Sequence, residues 1–261
     1  VKTFLPTIDW TFKRGEAWLV TGPNGGGKAD FIKALAGQLY FEPNSAAGCC
    51  ENNFEKSVAV VSLEEAASLI EEERERDESE YMDKEDIGRT GRAYICEVLG
   101  GSSKKNAPLP EIASRLETLP QVKLCGVEKI LDRGLRYMST GEIRRTLLCR
   151  ALLSGARLLV LSDPFAGLDV ESRRILLEFF TTIVSKQLSD NGADESPFPH
   201  IILCMERFHE IPDSINRVLE FRDRKISFCA DRLAYENLLK KAEVEKNATR
   251  EAEKNAFLAE L

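Results

Sequence analysis

Gly22, Asn24, Gly25, Gly26, Gly27 and Lys28 have the residue types and spacing of a phosphate-holding loop. They lie in "TGPNGGGKAD", Thr21–Asp30, which fits the pattern G-x-x-x-x-G-K-[ST] at all but its last position. Such a loop works because closely spaced backbone N–H groups point inward and glycines let phosphates approach. Lys28 adds a point charge at the β- and γ-phosphates. The last position calls for a hydroxyl on Mg²⁺, but here it is Ala29, followed by Asp30. A glycine-rich turn before a helix also has a purely structural reading. One eight-residue match does not decide between the two.

The elements around the loop suit the chemical reading. "EAWLVTG" (Glu16–Gly22) reads as a short buried strand entering a glycine turn. "KADFIKALAG" follows with Phe31, Ile32, Leu35 and Ala36 on one helical face and Gly37 as C-cap. Further apolar runs, "SVAVVSL" (Ser57–Leu63), "ARLLVLSDP" (Ala156–Pro164) and "HIILCMERF", read as strands. Residues 92–153 read mainly as helices, broken by "GGSSKKNAPLP". "ESRRILLEFFTTIVSKQL" is an amphipathic helix, and "SDNGADESPFP" a polar loop. "RVLEF" and "KISFC" suggest a hairpin, and the tail from Ala230 reads as one long helix. Strands separated by helices predict an α/β fold with a mainly parallel sheet and an antiparallel β contribution. No internal repeat is visible.

Composition narrows the class. The 261 residues are 43% hydrophobic and 30% charged, as in a soluble globular chain able to bury a sizeable core. No apolar run approaches the ~18–20 residues of a membrane span, and no secretory signal is visible. The seven cysteines are scattered without a CxxC pair, which predicts a reduced, cytosolic compartment and mostly buried thiols. With only His200 and His209, a zinc site is not expected. The net charge is −7. The run "EEERERDESEYMDKED", Glu71–Asp86, with ten acids and three basic residues, accounts for all of it. That run reads as a solvated helix or mobile insertion rather than a docking tail. No basic footprint for nucleic acid is present in the overall count, so no nucleic-acid partner is expected.

Two more segments reinforce the loop. "YMSTGEIRRTLLCRALL" (Tyr137–Leu153) is followed by "LLVLSDPFAGLD" (Leu158–Asp169). With the loop, their order and spacing resemble the ABC-type ATPase domain over nearly the whole chain. Met138, Ser139, Thr140, Gly141 and Glu142 fall on the family signature LSGGQ. "PFAGLD" places Gly167, Leu168 and Asp169 in its D-loop. "EDIGRT", "DPFAGLDVESR" and "ERFHEIP" narrow the resemblance to the first half of ModF-type proteins, tandem ABC ATPases associated by name with molybdate transport. The resemblance implies a P-loop ABC domain over residues 1–230, with a helical signature subdomain at 92–153 and an acidic insertion at 64–88. A C-terminal helix over 231–261 either packs back on the domain or leads to a second ABC half. ATP or ADP is the implied ligand.

Against the family pattern, five positions depart. The Mg²⁺ hydroxyl falls on Ala29, the Walker B Asp on Ser162, the following Glu on Asp163, the Q-loop Gln on Glu65 and the switch His on Glu206. Mg²⁺ wants near-octahedral oxygen ligation. Ala29 supplies no oxygen and Ser162 a neutral one, so no metal ligand is assigned and bound Mg²⁺ is doubtful. An ionised Glu206 puts negative charge where the family donates to the γ-phosphate. Two unit charges ~4 Å apart at an effective dielectric of ~20 repel by roughly 4 kcal/mol. Asp163 reads as a shortened base, a displaced metal ligand, or the mere end of a strand. Glu65 replaces lost metal charge only if it reaches.

The signature is better kept. In the family this helix start contacts the γ-phosphate of the opposite subunit, through exposed N–H groups and the positive dipole end. Thr140 adds a Cβ where close approach is needed. A plain N-capped helix, with Ser139 or Thr140 as cap, is the structural reading. The family stacks adenine on an aromatic from the first strand, expected upstream of "KTFLP"; Trp10 and Trp18 are candidates by type, with core packing the stronger role for Trp18. The expected function is an ATP-binding ABC subunit or half, weak in its own hydrolysis, with a signature able to complete a partner's site. The partner is a second copy, a second ABC half or subunit, with a membrane permease also implied. The location is cytoplasmic, on the inner face of a membrane if such a permease is engaged. The alternatives are a working Mg²⁺-dependent ATPase with substitute acidic ligands, and an assembly module without nucleotide.

Overall fold

A computed structural model of the chain describes residues 8, 10–13, 15–39, 52, 54, 57–77, 86–100, 111–189, 199–206 and 211–259, the side chains of 187–189 and 251–259 excepted. The "KTFLP" segment, Cys49 and Cys50, residues 101–110 and 190–198, and His209 lie outside the described residues.

Six strands form one sheet. They are β1 (Ala17–Thr21), β2 (Val58–Val61), β3 (Leu158–Ser162), β4 (His200–Cys204), β5 (Arg217–Arg222) and β6 (Lys225–Asp231), in the order β2-β3-β4-β1-β5-β6. Pairing is parallel from β2 through β5, and only β6 runs antiparallel. The expected parallel sheet with an antiparallel contribution is therefore what forms. Both faces of the parallel part are covered, which is why its strands are continuous apolar runs. On β1, Ala17 and Leu19 face one core while Trp18 and Val20 face the other.

Helix α1 (Lys28–Leu35) lays Phe31 against the second core, with Trp18 and Phe221. The larger core lies on the opposite face. It receives α2 (Leu63–Glu75), α3 (Gly91–Cys96), α4 (Pro120–Cys125), α5 (Thr140–Leu153) and α6 (Val170–Ser189). Phe179, Phe180 and Ile183 of α6 are fully buried there. Helix α7 (Arg232–Ala259) starts beside the hairpin, where Tyr235 is buried and Leu239 packs against the core. Leu233, Leu238 and Val244 remain exposed on it.

Two expectations change. The acidic run is not uniformly solvated: α2 buries Glu73, and Asp86 is buried as well. Trp10, a stacking candidate, instead packs edge-to-face with Trp18 and Phe31, while Trp18 is buried in the core as its stronger role had it. Among the described cysteines, Cys96, Cys125, Cys149 and Cys204 are buried free thiols and Cys229 is exposed. Burial pushes the Cys204 thiol up to about 11. Among the described residues no helix is long and apolar enough to cross a membrane.

Candidate functional site

Adjacent parallel strands place the site. The carboxyl ends of β3, β4 and β1 lie side by side, and parallel sheets bind their ligands at that edge. The glycine loop follows β1, Asp163 follows β3, and Glu206 stands just after β4. The exits are tied together: Met205 N donates to Val20 O at 3.1 Å, and Asp163 N to Cys204 O at 2.9 Å.

Glycine has two different jobs in this loop. Gly22 has φ 130°, and a Cβ there would lie 2.0 Å from the Phe221 carbonyl oxygen. Its lack of a side chain lets β1 and β5 close on each other. Gly25 has φ 75°, and a Cβ there would meet nothing within 4 Å. That glycine leaves bare backbone facing open space, as a phosphate cradle requires. Phe31 N donates to Gly27 O at 3.0 Å and so begins α1. Lys28, only 8% exposed, is its first residue. A nucleotide's phosphates fit this arrangement.

The charges around Lys28 are mostly negative. Its Nζ lies 3.6 Å from Glu206 Oε1. Burial holds the Asp163 carboxyl above its ordinary value; Lys28 pulls it down, while Glu206 and Glu64 push it up. Arg144, buried in α5, also acts on Asp163 and donates from Nη1 to Pro164 O at 3.1 Å. Lys28 thus pairs with Glu206 and acts on Asp163, two carboxylates at one cation. Mg²⁺ does not fit the positions that should hold it: Ala29 has no oxygen donor and Ser162 only a hydroxyl. Among the described residues no group of three or more His, Cys, Asp or Glu is placed to hold a metal ion.

Glu64, not Glu65, is the acid of α2 that acts on Asp163. Glu65 lines a different cavity of about 530 Å³ with Arg89, Tyr94, Glu97 and Arg150. Burial raises its carboxyl and Arg150 opposes that. The helix start was the available signal. Ser62 caps α2 by accepting from Glu65 N at 3.1 Å, and neighbouring helical residues point about 100° apart. Arg144 was also missed; beside Arg145 in "GEIRRTLLC", nothing in the string marks which of the two arginines is buried.

The signature segment forms a capped helix start. Ser139 Oγ accepts from Glu142 N at 3.2 Å, and Glu142 Oε2 accepts from Ser139 N at 2.8 Å. Arg133 pairs with Glu142 at 2.7 Å. Ser139 and Thr140 are exposed, whereas Gly141 is buried. A Cβ on Gly141 would lie 2.5 Å from Ser172 Oγ. Asp169 caps α6 by accepting from Ser172 N and Oγ, each at 2.8 Å. Gly141 therefore packs against the start of α6, next to Gly167, Leu168 and Asp169.

The family model described as ABC transporter matches residues 5–166. The chain belongs to the ABC transporter family. The ABC transporter ATP-binding protein ModF of Escherichia coli (strain K12) is 31% identical over 207 residues, covering 78% of this chain and 36% of ModF. This chain thus spans about a third of that relative. A nucleotide-free ATP-binding cassette from an ABC transporter superposes with a TM-score of 0.63 at 18% identity, covering 92% of each chain. CbiO1 of Clostridium perfringens, described as part of the ABC transporter complex cbiONQ, gives 0.60 at 18% identity, covering 98% of this chain and 92% of its own. Those two likenesses show the ABC cassette fold.

The ABC assignment sharpens what Asp163 can be asked. Its φ of 45° is left-handed, which Asn tolerates as well as Asp does. A raised folded-state pKa means that the folded chain binds this proton more tightly than the unfolded chain. Stability from this group is full below the unfolded value and is lost as pH rises through the folded value. Asp163→Asn is therefore expected to raise Tm at pH 7. The gain should fade towards about pH 4, near the ordinary carboxylate value. Thermal melts at both pH values check this; an equal or lower Tm for the variant at pH 7 would contradict it.

Proposed function

We propose that this chain is a nucleotide-binding ABC subunit or half whose own site hydrolyses ATP weakly or not at all. The carrying observation is the pairing of Lys28 with Glu206 at 3.6 Å, in a glycine cradle whose metal positions are Ala29 and Ser162. Lys28 faces an acid instead of being left to phosphate, and no metal ligand offsets that acid. Asp163 serves poorly as a base. Its side chain is one methylene shorter than the Glu of the family pattern, so its carboxylate stands back from the water that a base would orient. Loss of positioning by ~1 Å costs such catalysis about 100-fold.

The signature start serves a second ABC half, or a second copy of this chain. Exposed Ser139 and Thr140 at the first turn of α5 support that role, because a helix start offers N–H groups and a positive dipole end to a partner's phosphate. A membrane permease would dock such a pair from the cytoplasmic side.

The purified chain is expected to release phosphate from ATP at or near background with Mg²⁺ present, and Lys28→Ala is expected to change that little. A steady-state phosphate-release assay tests it. Robust Mg²⁺-dependent turnover that Lys28→Ala abolishes would overturn the proposal. Turnover lost also in Asp163→Asn would point to a working ATPase with substitute acids.

A further inference from the structure

The acids around Lys28 bear on which nucleotide the site takes, a question that rests on the nucleotide-binding reading above. We infer that the site selects nucleoside diphosphate over triphosphate, with Glu206 occupying Lys28 as an internal substitute for the terminal phosphate.

A phosphate loop holds the α- and β-phosphates on its backbone N–H groups, and its lysine reaches the β- and γ-phosphates. Here the backbone part of that device is intact: Gly25 faces open space, and Gly22 closes the loop against β5. The lysine part is already engaged. Glu206 Oε1 lies 3.6 Å from Nζ, and the Glu206 side chain is 47% exposed, so it stands at the mouth rather than deep in the core. Asp163, on which both Lys28 and Glu206 act, adds its charge to the same region. Of the two cations that act on Asp163, Lys28 stands in the loop at the start of α1, while Arg144 lies in α5 with its Nη1 on the Pro164 carbonyl.

A diphosphate fills the amide cradle and brings only its β-phosphate to Lys28. A triphosphate must bring one more charged group to Nζ, into the space that Glu206 holds. In other sites of this kind a bound metal neutralises the β- and γ-oxygens. The residues at 29 and 162 give it no such hold. The extra phosphate therefore meets Glu206 and Asp163 with no metal to offset its charge.

Isothermal titration of the chain with ADP and with ATP, both without Mg²⁺, tests this. ADP is expected to bind about tenfold or more tightly than ATP. Glu206→Gln keeps the side-chain shape and removes the charge. It is expected to raise ATP affinity and to narrow the ADP-to-ATP ratio to within about threefold. A thermal melt of the variant checks that its fold is intact, as its half-exposed position implies. Adding Mg²⁺ is expected to leave ADP the tighter ligand for the unaltered chain. Equal or tighter binding of ATP, with or without Mg²⁺, overturns the inference while leaving nucleotide binding in place. So does a ratio that Glu206→Gln does not move. Binding of neither nucleotide overturns the nucleotide reading itself, and the selectivity with it.

Discussion

Glu73→Ala is expected to lower the unfolding free energy by about 3–5 kcal/mol, the usual effect of removing one partner from a buried ion pair. The Glu73 side chain is 1% exposed. Its Oε2 accepts from the Arg89 backbone N at 3.0 Å, and its Oε1 from Arg89 Nε at 2.9 Å. Arg89 in turn reaches Glu97 at 2.5 Å and lies over the Tyr94 ring at 4.9 Å. Arg150 lies over that ring at 4.0 Å and pairs with Glu97 at 3.1 Å. One network thus joins α2, α3 and α5. Without Glu73, the buried Arg89 guanidinium loses a counter-charge that water cannot replace, because its side chain is only 12% exposed. Glu71→Ala on the same helix is the control: 63% exposed and paired with Arg74 at 3.5 Å, it should change stability by no more than ~0.5 kcal/mol. Urea denaturation of both variants decides the matter. The pair Glu73→Leu with Arg89→Met should lose less than Glu73→Ala alone, because the Arg89 charge leaves with its partner and Glu97 keeps Arg150. A cost below ~1 kcal/mol for Glu73→Ala would show that the network does not hold these helices together.

Glu73 also shows where sequence reading stops. Strands came through because their residues are apolar on both faces, and a strand buried on both sides is written as a continuous run. The capped start of α5 came through with Ser139 or Thr140 as cap; the structure chooses Ser139, which closes a capping box with Glu142. Strand order did not: β1 lies between β4 and β5, and nothing local to "AWLVT" names neighbours nearly 200 residues away. Charge partners were hidden for the same reason. Ten acids between Glu71 and Asp86 look alike in a string. Only the turn of α2 against the core separates buried Glu73 from exposed Glu71, and it also turns Glu64 rather than Glu65 towards Asp163. At the site, residue types alone carried the reading of the loop and of the departures at positions 29 and 162. That Glu206 pairs with Lys28 required the folded edge of three strands.

Gly22→Ala is expected to damage the fold as much as the site. At φ 130° an L-residue carries strain of about 1–3 kcal/mol even in open space. Here the space is not open. The new Cβ would stand 2.0 Å from the Phe221 carbonyl oxygen and 3.0 Å from its carbonyl carbon. Both atoms are backbone of β5, which pairs with β1 through Leu19–Val218 and Val20–Leu219. Relief therefore requires β1 and β5 to part at the end that carries the loop. The total cost should reach about 3 kcal/mol or more, with nucleotide binding lost alongside. Gly25→Asn is the contrasting variant. At φ 75° with nothing within 4 Å of its Cβ, Asn adopts the backbone at small cost, so stability should fall by ~1 kcal/mol or less. Its side chain nevertheless enters the open space in front of the cradle, so nucleotide affinity should fall while the melt barely moves. Paired thermal melts and ADP titrations of the two variants separate a glycine needed by the sheet from a glycine needed by the ligand. If Gly25→Asn left ADP binding unchanged, the open space in front of Gly25 would not be where phosphate sits.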